Sequence, residues 1–399
     1  LSGQGDGFTA RDRIELQAHA GGTRLSYAAD IELAPGNPAT RFQPLLAVLL
    51  RRGGRRAIAR LGEALARRPA CPRAGFWERL ADVAVLPGLV GFSRLGYRWR
   101  RRGWPPLVAD LRGRRIVVTG ATSGLGLAAA TRLAALGAAV VGVGRDPAKA
   151  ERARRAILQA CPGAEVHFEV ADLSLMDEVR DLGIRLRDGQ APIHVLINNA
   201  GALFPDRQET REGLERCLAV NLLGPFLLTQ LLLPRLQASA PARIVNVSSG
   251  GMYAQRLWVD DLAFRRAPYA GPTAYARAKR ALTVLGGLWA RRLQGTGVVV
   301  HTMHPGWADT PGLGRSLPGF QRLTQRWLRS ASEGADTMVW LAAAPQAAGC
   351  SGWFWMDRRP RPTHLVPWTR EKPAERERLW EEVSRLSGWH PGGDAAHTH

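Results

Sequence analysis

Lysine is almost missing from this 399-residue chain. Only three of its 55 basic residues, Lys149, Lys279 and Lys372, are lysines; the rest are arginines. A skew of that size reads as codon bias along the whole chain, so the formal charge of +21 is weak ground for a nucleic-acid partner. The excess is also local: residues 41–115 hold 18 arginines against four acids, which places +14 of the total there. No nucleic-acid motif accompanies it, and no nucleic acid is expected as a partner. Cysteine is scarce. Cys71, Cys161, Cys217 and Cys350 lie far apart and form no C-x-x-C pair, which excludes a disulfide scaffold and a cysteine-based zinc module and suits a reducing, cytoplasmic setting. No metal site is expected. Long apolar runs are missing as well: Leu45–Leu50 and Ala81–Phe92 fall well short of the roughly 20 residues that span a bilayer. Residues 1–30 are polar and alternating, without a signal-peptide pattern, and the sequence opens at Leu1, as a fragment or a processed form would.

What is present is ordinary globular composition, 45% apolar and 22% charged, long enough for two or three domains. Residues 8–33 alternate in strand fashion around a turn at Ala20-Gly21-Gly22, and a helical pattern follows over Phe42–Arg68. Residues 69–108 read as a basic linker in which Phe92, Leu95, Tyr97, Trp99 and Trp104 interleave with Arg94, Arg98 and Arg100–Arg102. That mixture suits peripheral membrane contact or a linker helix whose aromatics dock on the neighbouring domain. From Gly113 short strands alternate with helices: strands at Arg115–Thr119, Ala139–Val143, Glu165–Val170, Ile193–Ile197, Arg243–Val247 and Gly297–Met303, helices at Leu125–Leu136, Pro147–Ala160, Leu175–Arg187, Thr210–Leu236 and Thr273–Leu293. Such alternation predicts an α/β fold, a Rossmann-type doubly wound parallel sheet flanked by helices, with an N-terminal α+β extension. The divisions are 1–68, 69–108, 109–365 and 366–399, the last a C-terminal helix and a tail that loses its pattern from Trp389.

The chemistry concentrates at strand ends. Thr119-Gly120-Ala121-Thr122-Ser123-Gly124-Leu125-Gly126 joins the first strand to a helix; its glycines let backbone approach a pyrophosphate, and the helix start offers free N–H groups. Tyr275 and Lys279 are one helical turn apart and share a face. A free phenol titrates near 10, too high for acid–base work at neutral pH, and a neighbouring ammonium is expected to lower it. That Lys279 is one of three lysines in an arginine-biased chain argues that its compact ammonium is needed there.

These segments resemble the short-chain dehydrogenase/reductase family over roughly residues 113–310. The glycine turn matches its TGxxxGxG, Tyr275-Ala276-Arg277-Ala278-Lys279 its YxxxK, and Asn198-Asn199-Ala200-Gly201 its NNAG. Val247-Ser248-Ser249-Gly250-Gly251-Met252, Met303–Gly312 and Gly334–Met338 are similar to the dehydrogenase/reductase member-12 group, near the retinol-dehydrogenase-like enzymes. Residues 1–68 resemble, in pattern alone, the end of a START-like lipid-binding domain. The family resemblance implies a catalytic set of Ser249, Tyr275, Lys279 and Asn221, with Ser248 replacing Ser249 if the register slips by one, and Asn221 holding a water that relays protons to Lys279. It implies nicotinamide cofactor contacts at Thr119, Gly120, Ser123, Gly124, Leu125 and Gly126, at Asp172 and Leu173, and at Asn199, Ala200 and Gly201. Tyr275, Lys279, Pro305, Gly306 and Thr310 complete that set. At the end of the second strand, Arg145 would pair with a 2′-phosphate, so NADP(H) is expected over NAD(H), unless Arg145 is one more arginine of a biased chain.

The expected activity is oxidoreduction of an alcohol or carbonyl on a lipophilic small molecule, since Trp258, Phe264, Trp307, Leu313, Leu317 and Phe320 make apolar walls or core. The alternative is a lipid-binding or scaffolding protein with a vestigial dehydrogenase fold. A homo-oligomer, paired through the two long helices, is also expected.

Overall fold

The computed structural model describes the backbone of residues 2–5, 8–19 and 22–33, and both backbone and side chains of residues 91–189, 191–309, 319, 322 and 324–390. The chain divides into two compact units, Leu1–Arg68 and Pro69–His399. In the first, β1 (Ser2–Gly5), β2 (Phe8–His19) and β3 (Gly22–Leu33) form an antiparallel meander, with β2 and β3 paired from Phe8↔Leu33 to His19↔Gly22. The helical pattern over Phe42–Arg68 lies outside the described residues.

The second unit opens with helix α1 (Arg94–Arg101) and then alternates strand and helix: β4 (Arg115–Thr119), α2 (Gly124–Ala135), β5 (Ala139–Gly144), α3 (Pro147–Ala160), β6 (Val166–Val170), α4 (Met176–Asp188) and β7 (Val195–Asn198). There follow α5 (Arg216–Ala238), β8 (Ala242–Val247), α6 (Gly271–Arg292), β9 (Val298–Met303), α7 (Ala331–Ala343), β10 (Trp353–Met356), β11 (Arg359–Arg361) and α8 (Pro373–Ser387). The sheet order is β11-β10-β9-β8-β7-β4-β5-β6, parallel throughout except for the β10/β11 hairpin. β-Branched runs such as Ile116-Val117-Val118 are buried because helices cover both faces. Local signals set the helix starts: Asp146 accepts from Lys149 N–H at 3.0 Å ahead of Pro147, and Ser330 with Glu333 forms a reciprocal capping box on α7.

Because β4 pairs with β5 on one side and β7 on the other, the chain reverses direction across the sheet between them. A crevice opens at such a point beyond the carboxyl ends of the strands. α2 and α7 pack together on one face of the sheet; α4, α5 and α6 cover the other.

Several expectations change. The long helix begins at Arg216 rather than Thr210, since Thr210–Leu214 closes a turn of its own with Thr210 N–H on Leu214 O at 2.8 Å. α5 is long and apolar enough to cross a membrane by length and composition, yet its apolar residues are buried core. The outer face of α5 and α6, expected to pair two copies, is covered by α8: Trp380 packs edge-on against Phe226 and Trp289, and Trp389 joins the cluster instead of belonging to a tail. A dimer through that face would have to displace α8. Cys350 is disulfide-bonded, so wide spacing, which excludes a disulfide framework, did not exclude a single bridge; Cys161 and Cys217 are free thiols.

Candidate active site

The turn after β4 is built for close approach. A Cβ on Gly126 would lie 2.2 Å from the Gly120 carbonyl oxygen and 2.6 Å from Asn199 Nδ2, so only glycine lets α2 start this near the strand end. Ser123 stands at the N-cap without making a side-chain capping bond, which leaves the first-turn N–H groups of α2 available. Thr119 lies beneath this turn, buried: its hydroxyl donates to Ile197 O at 3.2 Å and accepts from Asn199 N–H and Ala200 N–H at 2.9 and 3.0 Å. It braces β4 against the loop after β7 instead of facing a ligand.

A cavity of about 310 Å³ runs from this turn along the strand ends. Its near wall carries Gly120 and Ser123–Gly126; its rim carries Arg145, Asp172 and Leu173; its far end reaches Asn199–Gly201, Tyr275, Lys279 and Pro305. Arg145 is exposed at the rim, with Nη1 3.9 Å from Asp172 Oδ2. Asp172 is oriented by Ser174, whose N–H and hydroxyl donate to Oδ1 at 2.9 and 2.7 Å.

At the far end the Ser249 hydroxyl stands close enough to the Tyr275 phenol to lower its pKa, and Lys279 Nζ sits 5.6 Å from the Tyr275 ring centroid. Lys279 is fully buried and donates to Val247 O at 3.0 Å. Ser248 turns the other way, donating to Lys279 O at 3.0 Å and sharing a 2.9 Å bond with the Thr283 hydroxyl. Asn221 occupies a π-helical turn, Ala219–Leu223, within α5. Its Nδ2 donates to Ala202 O and Cys217 O at 2.6 and 2.8 Å, while its buried Oδ1 has no partner. A Cβ on Gly201 would lie 2.7 Å from that Oδ1 and 3.1 Å from Lys279 Nζ, so both atoms face the same small space beside Gly201.

Residues 114–318 match the family model for short-chain dehydrogenases. The chain is 39% identical over 304 residues to bovine dehydrogenase/reductase SDR family member 12, covering 75% of this chain and 95% of the relative. It is 37% identical over 322 residues to mouse polyprenol dehydrogenase (77% and 93%), and 34% identical over 318 residues to human retinol dehydrogenase 13 (77% and 95%). Among solved structures, an uncharacterised Mycobacterium paratuberculosis protein aligns with a TM-score of 0.58 at 28% identity, covering 72% of this chain and 98% of that one. A Serratia marcescens short-chain dehydrogenase/reductase variant aligns at 0.51 and 26% (61% and 96%).

The chain belongs to the short-chain dehydrogenase/reductase family. It is accordingly an NAD(P)-dependent oxidoreductase, and its Rossmann-type sheet is that of the family. Within this dehydrogenase the electrostatics differ from the expected drop in the phenol pKa. Burial pushes Tyr275 up to about 12, Cys217 adds to the rise, and the Ser249 hydroxyl is the lowering influence. Burial also brings Lys279 down to about 8. Lys279, buried and donating to the Val247 carbonyl, gives up its own proton more readily than a free lysine, and at the phenol the effect of burial prevails. The half-buried Tyr275 is therefore a protonated acid in this structure.

Pro305 reaches the cavity, whereas Gly306 faces the buried Arg329 and Thr310 lies outside the described residues. Of the apolar residues expected as walls, Phe264 packs against Tyr269, Trp258 stacks under Arg256 and Arg277, and Leu313, Leu317 and Phe320 lie outside the described residues. Sequence reasoning missed Cys217, 3.4 Å from Asn221 Nδ2, and Thr122, whose methyl packs on Gly144; no motif marks the first, and the second sits unremarked inside the glycine turn.

Proposed function

We propose that this enzyme interconverts an alcohol and a carbonyl on a lipophilic small molecule with NADP(H) in preference to NAD(H). The observation that carries the reading is Tyr275 and Lys279 together, with the Ser249 hydroxyl beside the phenol, at the end of a cavity that begins at an uncapped helix start. The glycine turn and the N–H groups of α2 suit a pyrophosphate, Asp172 and Leu173 an adenine, and Tyr275 and Lys279 the ribose next to the nicotinamide. Bound there, the nicotinamide supplies or accepts the hydride.

The chain's own residues handle the oxygen and its proton. Ser249 donates to or accepts from the substrate oxygen and fixes it beside Tyr275. Tyr275, protonated, gives its proton to an oxygen that gains electron density during carbonyl reduction. Lys279 and the unpartnered Asn221 Oδ1 face each other beside Gly201, and a water held between them would be the route by which the phenol regains a proton. Arg145, exposed at the rim, supports the NADP(H) preference, since a guanidinium pairs with a phosphate dianion and gains nothing from a ribose hydroxyl. The lipophilic substrate class draws support from the polyprenol and retinol dehydrogenases to which the chain is similar.

Incubating the enzyme with NADPH and a cellular lipid extract, read by mass spectrometry, tests the reading. Cofactor-dependent gain or loss of two hydrogens in an apolar component is expected. Failure to bind either nicotinamide cofactor would overturn it in favour of a binding protein on a vestigial fold. The proposed setting is cytoplasmic with α1 against a membrane surface, because Leu95 and Trp99 are 53% and 72% exposed among Arg98, Arg101 and Arg102. Flotation with anionic but not neutral vesicles, lost in Trp99→Ser, is the expected outcome.

A further inference from the structure

Residues ahead of the family match pack against the turn that carries Ser249. Phe92 packs edge-on against His304, with ring centroids 4.8 Å apart, and against Trp307 at 5.8 Å. His304 follows directly on β9, and Trp307 stands in the loop just beyond it. Phe92 also meets the turn that carries Ser249: a Cβ on Gly250 would lie 3.3 Å from Phe92 Cε2 and 2.8 Å from His304 Nε2. His304 Nδ1 accepts from Gly250 N–H at 3.0 Å, so the ring proton sits on Nε2, buried without a hydrogen-bond partner. Phe92 thus sits at the carboxyl ends of β8 and β9, beside the residue that follows Ser249, and it is only half-buried there.

The backbone around Phe92 is held at three consecutive carbonyls. Gly91 O accepts from Arg329 Nη2 at 2.9 Å and Arg100 Nη1 at 3.0 Å; Phe92 O accepts from Trp307 N–H at 2.8 Å; Ser93 O accepts from Arg329 Nε at 3.3 Å. Asp357 clamps both guanidinium groups, at 2.6 Å to Arg329 Nη1 and 2.6 Å to Arg100 Nη1. Gly306, at φ +78°, leaves room for Arg329, whose Nε would stand 2.3 Å from any Cβ there. An aromatic ring locked this firmly next to a reacting centre selects shape, because a loose wall discriminates poorly.

Resting on the oxidoreductase reading above, we infer that Phe92 is a specificity-determining residue, a fixed aromatic wall that packs against the apolar chain next to the carbon undergoing reaction. It recognises an extended aliphatic or isoprenoid-like chain, and it is supplied by the segment preceding the nucleotide-binding fold.

The test uses the full chain, NADPH and straight-chain aldehydes from hexanal to dodecanal. Wild type should favour the longer aldehydes. Phe92→Ala should cut the dodecanal-to-hexanal ratio of kcat/KM at least roughly tenfold, mostly through KM, consistent with the discrimination apolar pockets obtain from a few methylene contacts. Phe92→Leu should give an intermediate ratio, and NADPH affinity should stay within about twofold in both. As a readout free of truncation, 4-fluorophenylalanine at position 92 should shift its fluorine resonance saturably when dodecanal is added to the enzyme with NADP+, a pair with no hydride donor for carbonyl reduction. Wild-type chain-length preference that survives in both variants, with an unmoved fluorine signal, overturns the role of Phe92. Wild type inert towards every aldehyde overturns the lipophilic-carbonyl reading itself.

Discussion

From the glycine turn to Asn199 the cavity wall is mostly main chain: Gly120, Gly124 and Gly126 expose backbone, and Thr119 holds the neighbouring loop by its N–H groups. Around Ser249 side chains from remote stretches gather instead: Tyr275 lies beside Ser249, Phe92 and His304 pack at the following Gly250, and Arg329 with Asp357 holds the backbone of Gly91 and Ser93. A wall of backbone can be specified by a short run of glycines. A wall of side chains needs many distant residues to agree, so it can differ between relatives that share the first half. The two halves should therefore fail separately when mutated.

The largest separation is expected from Tyr275→Phe. Removing the phenol hydroxyl takes away a positioned proton donor, an effect of roughly 10²–10⁴-fold on kcat, while NADPH binding, measured by fluorescence titration, should hold within about threefold. Turnover close to wild type would refute the assigned acid.

Next comes Asp357→Ala. Burial alone would raise the Asp357 carboxyl, but Arg329 and Arg100 outweigh it and hold the group below the usual carboxylate range. Deleting one member of a buried pair leaves the others charged and unpaired, at a cost of about 3–5 kcal/mol. A thermal midpoint lower by roughly 10 °C should follow, with the dodecanal-to-hexanal preference lost before NADPH affinity. A midpoint within about 2 °C of wild type would mean that Gly91–Ser93 is held by something other than this clamp.

Arg145→Ala probes the cofactor half alone. Losing a charge-assisted contact of about 1.5–3 kcal/mol should raise the KM for NADPH roughly 10–100-fold and leave the KM for NADH nearly unchanged. Parallel changes for both cofactors would make Arg145 a bystander of the chain's arginine bias.

The same contrast explains what is legible in the sequence. The six parallel strands from Arg115 to Met303 can be read because each is a short β-branched run between helix periods, and Tyr275 with Lys279 because a helix fixes their spacing. Boundaries slip where a local turn competes with helix propensity, as at Thr210–Leu214. Thr119 looks like a ligand contact in sequence because it opens the glycine turn; only the fold shows its hydroxyl committed to the β7 loop. Phe92, Arg329 and Asp357 carry no local pattern that ties residues 236 or 28 positions apart, and the aromatics of 91–104 divide in a way composition cannot foresee: Phe92, Tyr97 and Trp104 dock while Trp99 stays in solvent. The phenol pKa is misjudged for a related reason. Spacing brings an ammonium near Tyr275, but the dryness of the site and the Val247 carbonyl decide where that charge goes.

That dryness has a consequence in the absence of cofactor, the smallest of the expected effects. Lys279 sits at about 8 when folded and should return to the ordinary value near 10.5 when unfolded. The unfolded chain thus binds more protons across the window from 8 to 10.5, so this residue's burden on stability is full below pH 8 and lifts as pH rises through it. Between pH 7 and 9 the gain should be about 1 kcal/mol. Tyr275, raised to about 12, acts in the opposite sense, but only above pH 10, where the unfolded phenol begins to ionise. Lys279→Met keeps Tyr275 and Cys217 in place and removes the ammonium. Denaturant unfolding of both proteins without nucleotide, compared at pH 7 and pH 9, should show the wild type gaining on the variant by about that amount. A constant difference between them would place the Lys279 ammonium in contact with water rather than behind the phenol, and would remove the reason for treating Tyr275 as an acid in a dry pocket.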